Sequence, residues 1–219
     1  MNYFLTCGIG PKYKEAIKRL EIQARKTNIF DDILAYTGDE LQQVDEFWNT
    51  HREFIENNPV TFGYRIWRPY LVFRMIEQMY YGDILLYADA GCEFDLQCEY
   101  PKDEFLKFKN NMDISSSIIA SLGGTELLYS KIELIDFMNM KDDVQINTPQ
   151  IQCKSFIIQK TDKTLNFARD WYISSCTYSL IDNSNFKENN ENFIKHKNDQ
   201  SIFSLLLKKH GLFDTSKIS

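Results

Sequence analysis

An α/β sandwich with a mostly parallel central sheet flanked by helices is predicted for this chain, on three observations. Short apolar runs of strand length alternate with longer segments of helical periodicity, the pattern of β-α-β units. Gly-Pro and Asn-Pro punctuation falls between them, at Gly10-Pro11 and Asn58-Pro59. One run, Ile84 to Ala88, is apolar throughout and ends abruptly in Asp89, Gly91 and Glu93. A carboxylate at the carboxyl end of a buried strand is costly unless it is hydrogen-bonded or binds something. In open α/β sheets that end is where ligands sit.

The elements follow in order. Tyr3 to Cys7 reads as the first strand, and Gly8-Ile9-Gly10-Pro11 leads into a helix marked by Tyr13, Ala16, Ile17, Leu20 and Ala24. Pro11 suits a first helical turn. Phe30 to Thr37 reads as a second strand, and a polar helix is expected over Leu41 to Asn57, ended by Asn58-Pro59. Trp67, Leu71, Val72, Met75, Ile76 and Met79 mark an amphipathic helix running into the Gly82-Asp83 turn and the central strand. Beyond it we expect a helix at Asp103 to Asn110, a strand at Asp113 to Ala120, a turn at Gly123-Gly124 and a helix around Lys131 to Asn139. A strand near Cys153 to Gln159 and helices at Leu165 to Ser175 and Ile202 to Leu207 complete the list. Residues 1–219 read as a single domain without internal repeats. The Asn- and Lys-rich stretch from 182 to 198 reads as a mobile loop, either a lid or a plain surface loop.

The net charge of −6 argues against a nucleic-acid surface, and we expect no nucleic-acid partner. No apolar run approaches the roughly 18 residues of a membrane span, so no transmembrane segment is expected. Met1 to Thr6 is too short and lacks the charged start of a signal peptide. Five scattered cysteines without C-x-x-C spacing suggest neither zinc nor a disulfide framework, but reduced thiols in a cytoplasmic setting.

Four segments carry the candidate chemistry. The segment Tyr87-Ala88-Asp89-Ala90-Gly91 resembles the D-x-D region of GT-A glycosyltransferases, where a strand delivers carboxylates to a nucleotide-sugar and its divalent cation. Asp89 matches the first acid, whereas Gly91 stands at the second, and Glu93 is the nearest acid able to replace it. Asp89 is equally readable as a turn cap. Upstream lies Phe62-Gly63-Tyr64-Arg65-Ile66-Trp67-Arg68-Pro69-Tyr70. Arg68 at a helix start combines a positive side chain with free backbone N–H groups, a natural phosphate site. Trp67, Tyr64 and Tyr70 have the shape to stack on a base or sugar; the alternative is that they are core aromatics.

His196-Lys197-Asn198-Asp199-Gln200-Ser201 precedes the last apolar run. Asp199 reads either as a helix N-cap or as a carboxylate facing a ligand, and His196 as a metal or phosphate partner or as neither. At the first strand end, Thr6, Cys7 and Gly8 lie where bare backbone approaches a nucleotide closely. His51-Arg52 reads as a second phosphate contact or a solvated helix face, and Thr148-Pro149-Gln150 as a contact to acceptor or donor sugar.

Taken together, the G-Y-x-x-W-[KR]-P-Y block, the G-D-I-L-L-Y-x-D-A-G-C-E strand and the H-x-x-D-Q-S-x-x-S-L segment are similar to a family of small GT-A-like glycosyltransferases. These occur in bacterial surface-polysaccharide clusters and in large DNA viruses that glycosylate their own capsid proteins. The resemblance implies a GT-A-like nucleotide-sugar-binding sandwich in the cytoplasm of a bacterium or of a virus-infected host cell. It also implies transfer from a nucleoside-diphosphate sugar, a UDP-sugar first, to a hydroxyl of a glycan or glycoprotein acceptor. It makes Asp199 the base of an inverting reaction, worth about 10²–10⁴ in rate. Thr6, Cys7, Gly8, Trp67, Arg68, Tyr70, Asp89, Ala90, Gly91 and Gln200 become donor-binding residues. Mn²⁺ or Mg²⁺ would be held by Asp89 with Glu93 and His196. Two rivals remain open at this level: a retaining transferase in which Asp199-Gln200 braces the anomeric centre, and a non-catalytic nucleotide- or sugar-binding module.

Overall fold

The computed structural model describes residues 1–97, 102–107, 118–185 and 187–213. Five strands form one sheet: β1 (Asn2–Gly8), β2 (Asp32–Thr37), β3 (Ile84–Asp89), β4 (Ile118–Thr125) and β5 (Pro149–Gln159), in the order β2-β1-β3-β5-β4. β1 pairs in parallel with β2 and β3, while β5 runs antiparallel to both β3 and β4. The sheet is therefore mixed, with β5 the reversed strand. Helices α1 (Pro11–Thr27), α2 (Gly38–Gln42), α3 (Asp45–Asn57), α4 (Thr61–Tyr64) and α5 (Trp67–Gln78) belong to the first half. A short helix α6 covers 102–107. Then come α7 (Glu126–Tyr129), α8 (Ile132–Phe137), α9 (Asp162–Cys176), α10 (Tyr178–Ile181) and α11 (Asp199–Lys209). Among the described residues no helix is long and apolar enough to cross a membrane.

Several boundaries differ from the sequence reading. The expected helix over Leu41 to Asn57 is two, because Thr37 caps α2 through a reciprocal capping box with Glu40 and the chain turns again at Val44. β4 begins at Ile118 and continues through Gly123-Gly124, where a turn was expected. Leu122 and Thr125 on either side of them pair with Ile151 and Pro149 of β5, across a register irregularity, and carry the strand through the two glycines. Residues 113–117 and 108–110 of the expected strand and helix lie outside the described residues, as does Cys98; the described cysteines are free thiols.

Strand alternation decides what reaches the ligand end. Leu85 and Tyr87 face the larger core beneath α5 and α9, and Leu86 and Ala88 face the smaller cluster on the α1 side. Asp89 shares the parity of Tyr87, so it projects toward α5. On β5 the register is irregular, with Ala120 opposite Phe156 but Leu122 opposite Ile151. This bulge lets Cys153 and Phe156, three positions apart, both join the larger core. It aims Cys153 at the same place as Asp89.

Another feature positions the site from α5. Thr61, Phe62, Gly63, Tyr64 and Arg65 all have positive φ, from 50° to 68°, and form a left-handed turn. Such backbone costs L-residues roughly 1–2 kcal/mol each, so it must be held. Gly63 N–H donates to the Asn58 carbonyl at 2.9 Å, and Arg65 N–H to that of Thr61 at 3.2 Å. A Cβ on Gly63 would lie 2.9 Å from Ile55 Cγ1, so glycine is required there. The turn delivers the chain from α3 directly into the start of α5.

Opposite it, α11 is anchored by a buried polar network. Glu126 and Lys208 form an ion pair at 2.8 Å with both side chains fully buried. Glu126 also accepts from Ser204, from Ser130 at 2.8 Å and from Gln150 at 3.1 Å. Removing one partner leaves the other as an uncompensated buried charge, at a cost of about 3–5 kcal/mol. K208M should thus lower the melting temperature, at roughly 2–4 °C per kcal/mol. The double variant E126Q/K208M should melt above K208M, because it removes the stranded carboxylate. A thermal melt in which the double variant is the less stable of the two would contradict this reading.

Candidate functional site

Arg68 opens α5 with its side chain 4% exposed. A guanidinium has five N–H donors in a fixed fork, and each direction of the fork is used here. Nη2 donates to both oxygens of Asp89, at 2.8 and 2.9 Å. Nη1 donates to Asp199 Oδ2 and to Cys153 Sγ, the latter at 2.8 Å. Nε donates to the Tyr87 hydroxyl at 3.1 Å, and that hydroxyl donates to Asp89 Oδ1 at 2.6 Å. One cation thus joins the end of β3 and the middle of β5 to the start of α11.

The electrostatics follow from burial. Desolvation works against the charge of Arg68, but Asp199 and Asp89 outweigh it and hold the guanidinium protonated. Burial pushes the Asp199 carboxyl up, against the pull of Arg68 and then of Arg65. Burial likewise keeps the Cys153 and Tyr87 groups protonated. The Cys153 thiol lies 3.6 Å from Asp199 Oδ2. Asp199 Oδ1 is buried with no hydrogen-bond partner among the described residues, an arrangement that costs free energy. Asp199 is the first residue of α11, whose N-cap is Asn198 with no capping side-chain bond. Its backbone carbonyl accepts from Trp171 Nε1 at 3.0 Å.

A cavity of about 430 Å³ opens above this cluster. Its walls are the end of β1 (Cys7 to Gly10), the start of α1 (Lys12, Tyr13), the left-handed turn (Thr61, Phe62, Arg65), Trp67, Arg68 and the segment Asp89 to Gly91. α1 and α5 both start at its rim, and neither has a side-chain cap bond. The positive end of α1 together with Lys12 and Arg65 suits an anion. Gly8 is needed here, since a Cβ on it would lie 2.8 Å from Tyr13 Cβ and 2.9 Å from Ala90 Cβ.

Of the residues singled out in the sequence, Cys7, Gly8, Trp67, Arg68, Asp89, Ala90 and Gly91 line this cavity, and Asp199 lies beneath it through Arg68. Thr6 is buried in β1 and not among its lining residues. Tyr70 is a core aromatic, its ring 5.0 Å from Phe47 and 5.4 Å from Tyr172, bordering a different groove with Glu46 and Arg74. Gln200 donates to Gln150 Oε1 at 2.6 Å. Gln150 in turn belongs to the Glu126 network, which explains the Thr148-Pro149-Gln150 segment as scaffold. His51 is buried between the hydroxyls of Tyr178 and Tyr172, at 3.0 and 2.9 Å. Arg52 pairs with Glu56 on the surface.

A divalent cation is implied by the resemblance to a D-x-D site, and each of its three candidate ligands is engaged elsewhere. Asp89 is engaged by Arg68. Glu93 pairs with Arg19 at 3.2 Å and borders an open depression that also holds Asp89 and Lys154. Both ring nitrogens of His196 are used: Nε2 faces the Leu180 carbonyl at 2.9 Å, and Nδ1 accepts from Lys131 N–H at 3.5 Å. Burial and then the Lys131 charge lower its pKa to about 3. Among the described residues no three His, Cys, Asp or Glu side chains are grouped to hold a metal. A Cβ on Gly91 would meet nothing within 4 Å, so the missing second acid is not a matter of space. Among the described residues, the side chains present do not fit a protein-built cation cage.

Sequence reasoning missed Cys153, Tyr87 and Arg65 as members of the site. Tyr87 was open to discovery, since it shares strand parity with Asp89. Cys153 depends on a bulge and Arg65 on a left-handed turn, for which the local sequence carries no plain signal. The described residues of the 182–198 segment have little regular structure, and contacts run from Lys131 to Asp182 and Ser184, from Ile132 N–H to Asn189 and from Ile194 N–H to the Leu128 carbonyl.

No protein-family model matches the chain, and no curated protein matches it. Its fold is similar to the crystal structure of mouse xyloside xylosyltransferase 1 in the apo form. The TM-score is 0.50 at 11% sequence identity, over 98% of this chain and 85% of that one. The chain therefore has a glycosyltransferase-like fold, and the likeness speaks for the fold alone.

The buried histidines give a pH signature. His51, at about 4 through burial, and His196, at about 3, lie below the unfolded value near 6.5. The unfolded chain takes up these protons first, so their contribution is complete above about pH 6.5 and is lost as pH falls toward 4. H51Q should reduce the acid-side slope of stability by up to roughly 1.4 kcal/mol per pH unit. An unchanged slope in denaturant titrations between pH 6.5 and 4.5 would contradict the assignment.

Proposed function

We propose that this protein transfers a sugar from a nucleoside-diphosphate donor, a UDP-sugar first, to a hydroxyl of a glycan or glycoprotein. The observation that carries this reading is the placement of the Arg68 cluster beneath a cavity bounded by the carboxyl ends of β1 and β3. From the sequence blocks similar to the small GT-A enzymes of bacterial surface-polysaccharide clusters and large DNA viruses, Trp67, Arg68, Asp89, Ala90 and Gly91 line that cavity and Asp199 lies beneath it, and the cytoplasmic setting of those enzymes belongs to the same proposal.

In the proposed reaction the acceptor oxygen bonds to the anomeric carbon while the bond from that carbon to the β-phosphate oxygen breaks. The electron pair leaves with the diphosphate, and the hydroxyl proton must pass to a base. Positive charge near the leaving group stabilises this transition state. Here Arg65, Lys12 and the start of α1 supply it. Asp89, oriented by Arg68 and Tyr87, faces the ribose or the donor sugar. The nucleoside lies along Cys7 to Gly10, with Trp67 and Phe62 offering apolar faces.

Asp199 has two roles open to it, and burial favours one of them. As a base it would have to receive the acceptor proton on Oδ1. At 1% exposure and paired with Arg68, it is better placed to brace the anomeric centre through Arg68 in a retaining reaction, in which the departing diphosphate oxygen takes the acceptor proton. The product anomer, read by NMR, separates these outcomes.

The binding half of the proposal is tested by thermal shift with UDP, with and without Mn²⁺. UDP at about 100 times its dissociation constant should add roughly 2.7 kcal/mol of stability. We expect the same shift in EDTA and in Mn²⁺, since the charges that meet the diphosphate belong to the chain. No shift with any nucleoside diphosphate, in either condition, would overturn the donor assignment. D199N should retain the UDP shift while turnover falls by about 10² or more; normal turnover would remove Asp199 from the mechanism.

A further inference from the structure

A second cavity, of about 470 Å³, opens beside the donor cavity and shares Arg65 with it. Asn198 lines the second cavity while its neighbour Asp199 pairs with Arg68 under the first, so the two meet across one thin wall. We propose that this second cavity is the acceptor subsite, and that it takes a glycan carrying an anionic group, a phosphate or a carboxylate. The inference rests on the transferase reading for the word acceptor, and on the cavity's own residues for the charge.

Three cations face it: Arg65, Lys195 and Lys197. Their placement is built. The His196 ring is held by the Leu180 carbonyl, and Lys195 and Lys197 on either side of it line the cavity with it. The backbone of this stretch is tied to α7, with Lys195 N–H donating to the Leu128 carbonyl at 3.3 Å and Lys197 N–H to the Tyr129 carbonyl at 3.1 Å. Lys197 Nζ sits 4.7 Å from the centre of the Tyr129 ring, which fixes its direction.

Among the described residues no carboxylate lies within ion-pair distance of Arg65, Lys195 or Lys197. The fourth cation in the wall, Lys131, shows the contrast: its ammonium is satisfied by Asp182 and by the Asp182 and Ser184 carbonyls, at 2.9 to 3.1 Å. Asp182 is thus spent on Lys131 and leaves the other three unneutralised. Like charges gathered without an acid repel one another, and an anionic ligand relieves that cost. On a chain of net charge −6 the concentration is local. Phe193 gives the same cavity an apolar face for a sugar ring. The two lysines line this cavity and not the donor cavity, which has Lys12 and the start of α1 for the diphosphate.

The test is isothermal titration of the protein, saturated with UDP, with inorganic phosphate and with glucuronate as separate probes. The wild type should bind at least one of them, and the stronger probe identifies the anion class. K195Q/K197Q should weaken that binding by about tenfold or more while leaving UDP affinity within about twofold. The single variants K195Q and K197Q should each show an intermediate loss, and the thermal melt of each reports folding. Absence of binding by both probes, or undiminished binding in the double variant, overturns the proposal. A double variant that loses UDP affinity instead also overturns it, by placing the lysines on the donor diphosphate. If UDP fails to bind the wild type at all, the donor reading falls; anion binding lost in the double variant would still leave the cationic site standing.

Discussion

Two carboxylates share one buried guanidinium, and much of the structure exists to make that arrangement tolerable. Asp199 and Arg68 are both almost wholly withdrawn from water. Separately, each charge would be too costly to bury; together, and with Asp89 as a second acid, the charges compensate one another, at the cost of Asp199 Oδ1 left without a partner among the described residues. The two acids come from the central strand and from the last helix, 110 positions apart in the chain (199 less 89). The guanidinium comes from a third element. Arg68 therefore ties tertiary structure to site geometry, and few of its donors could be lost without loosening both.

The surrounding devices are intelligible as means of delivering those three groups. Strand parity turns Asp89 toward α5. A bulge in β5 brings the Cys153 thiol beneath the guanidinium. The left-handed turn of Thr61 to Arg65 sets the entry angle of α5 and places Arg65 between two cavities, at an energetic cost carried by packing against α3. The Glu126–Lys208 network fixes α11 on β5, so Asp199 arrives at a defined height. Trp171 secures the same helix start by its bond to the Asp199 carbonyl. The result is a rigid floor, a donor-sized cavity on one side of Arg65 and a cationic cavity on the other.

The fold was largely legible in the sequence because its elements are periodic and punctuated: strand runs with apolar parity, helices begun at Pro11 and Trp67, breaks at Asn58-Pro59. The three charged members of the cluster were legible too, since Arg68, Asp89 and Asp199 each stand at an element boundary where a charge invites explanation. What could not be read was which way a side chain turns when regularity fails. Tyr70 and Trp67, three positions apart on one helix, look alike in sequence, yet Tyr70 packs under α3 and α9 while Trp67 borders the donor cavity. His196 looks like a ligand in a polar loop, but both its nitrogens are spent on the backbone. Gly123-Gly124 resembles a turn, but the pairing of Leu122 and Thr125 on either side with β5 carries the strand through it. In each case a long-range contact, absent from any local window, decides the outcome.

The most direct test of the account is the affinity of UDP for folded R68K, measured by isothermal titration beside the wild type. Lysine keeps the charge but cannot hold Asp89 in a bidentate fork while also reaching Asp199. If the fork sets the geometry of the donor cavity, R68K should bind UDP about tenfold or more weakly, a loss of roughly 1.4 kcal/mol or more. A folded R68K that binds UDP as tightly as the wild type would contradict the claim that this cluster organises the site.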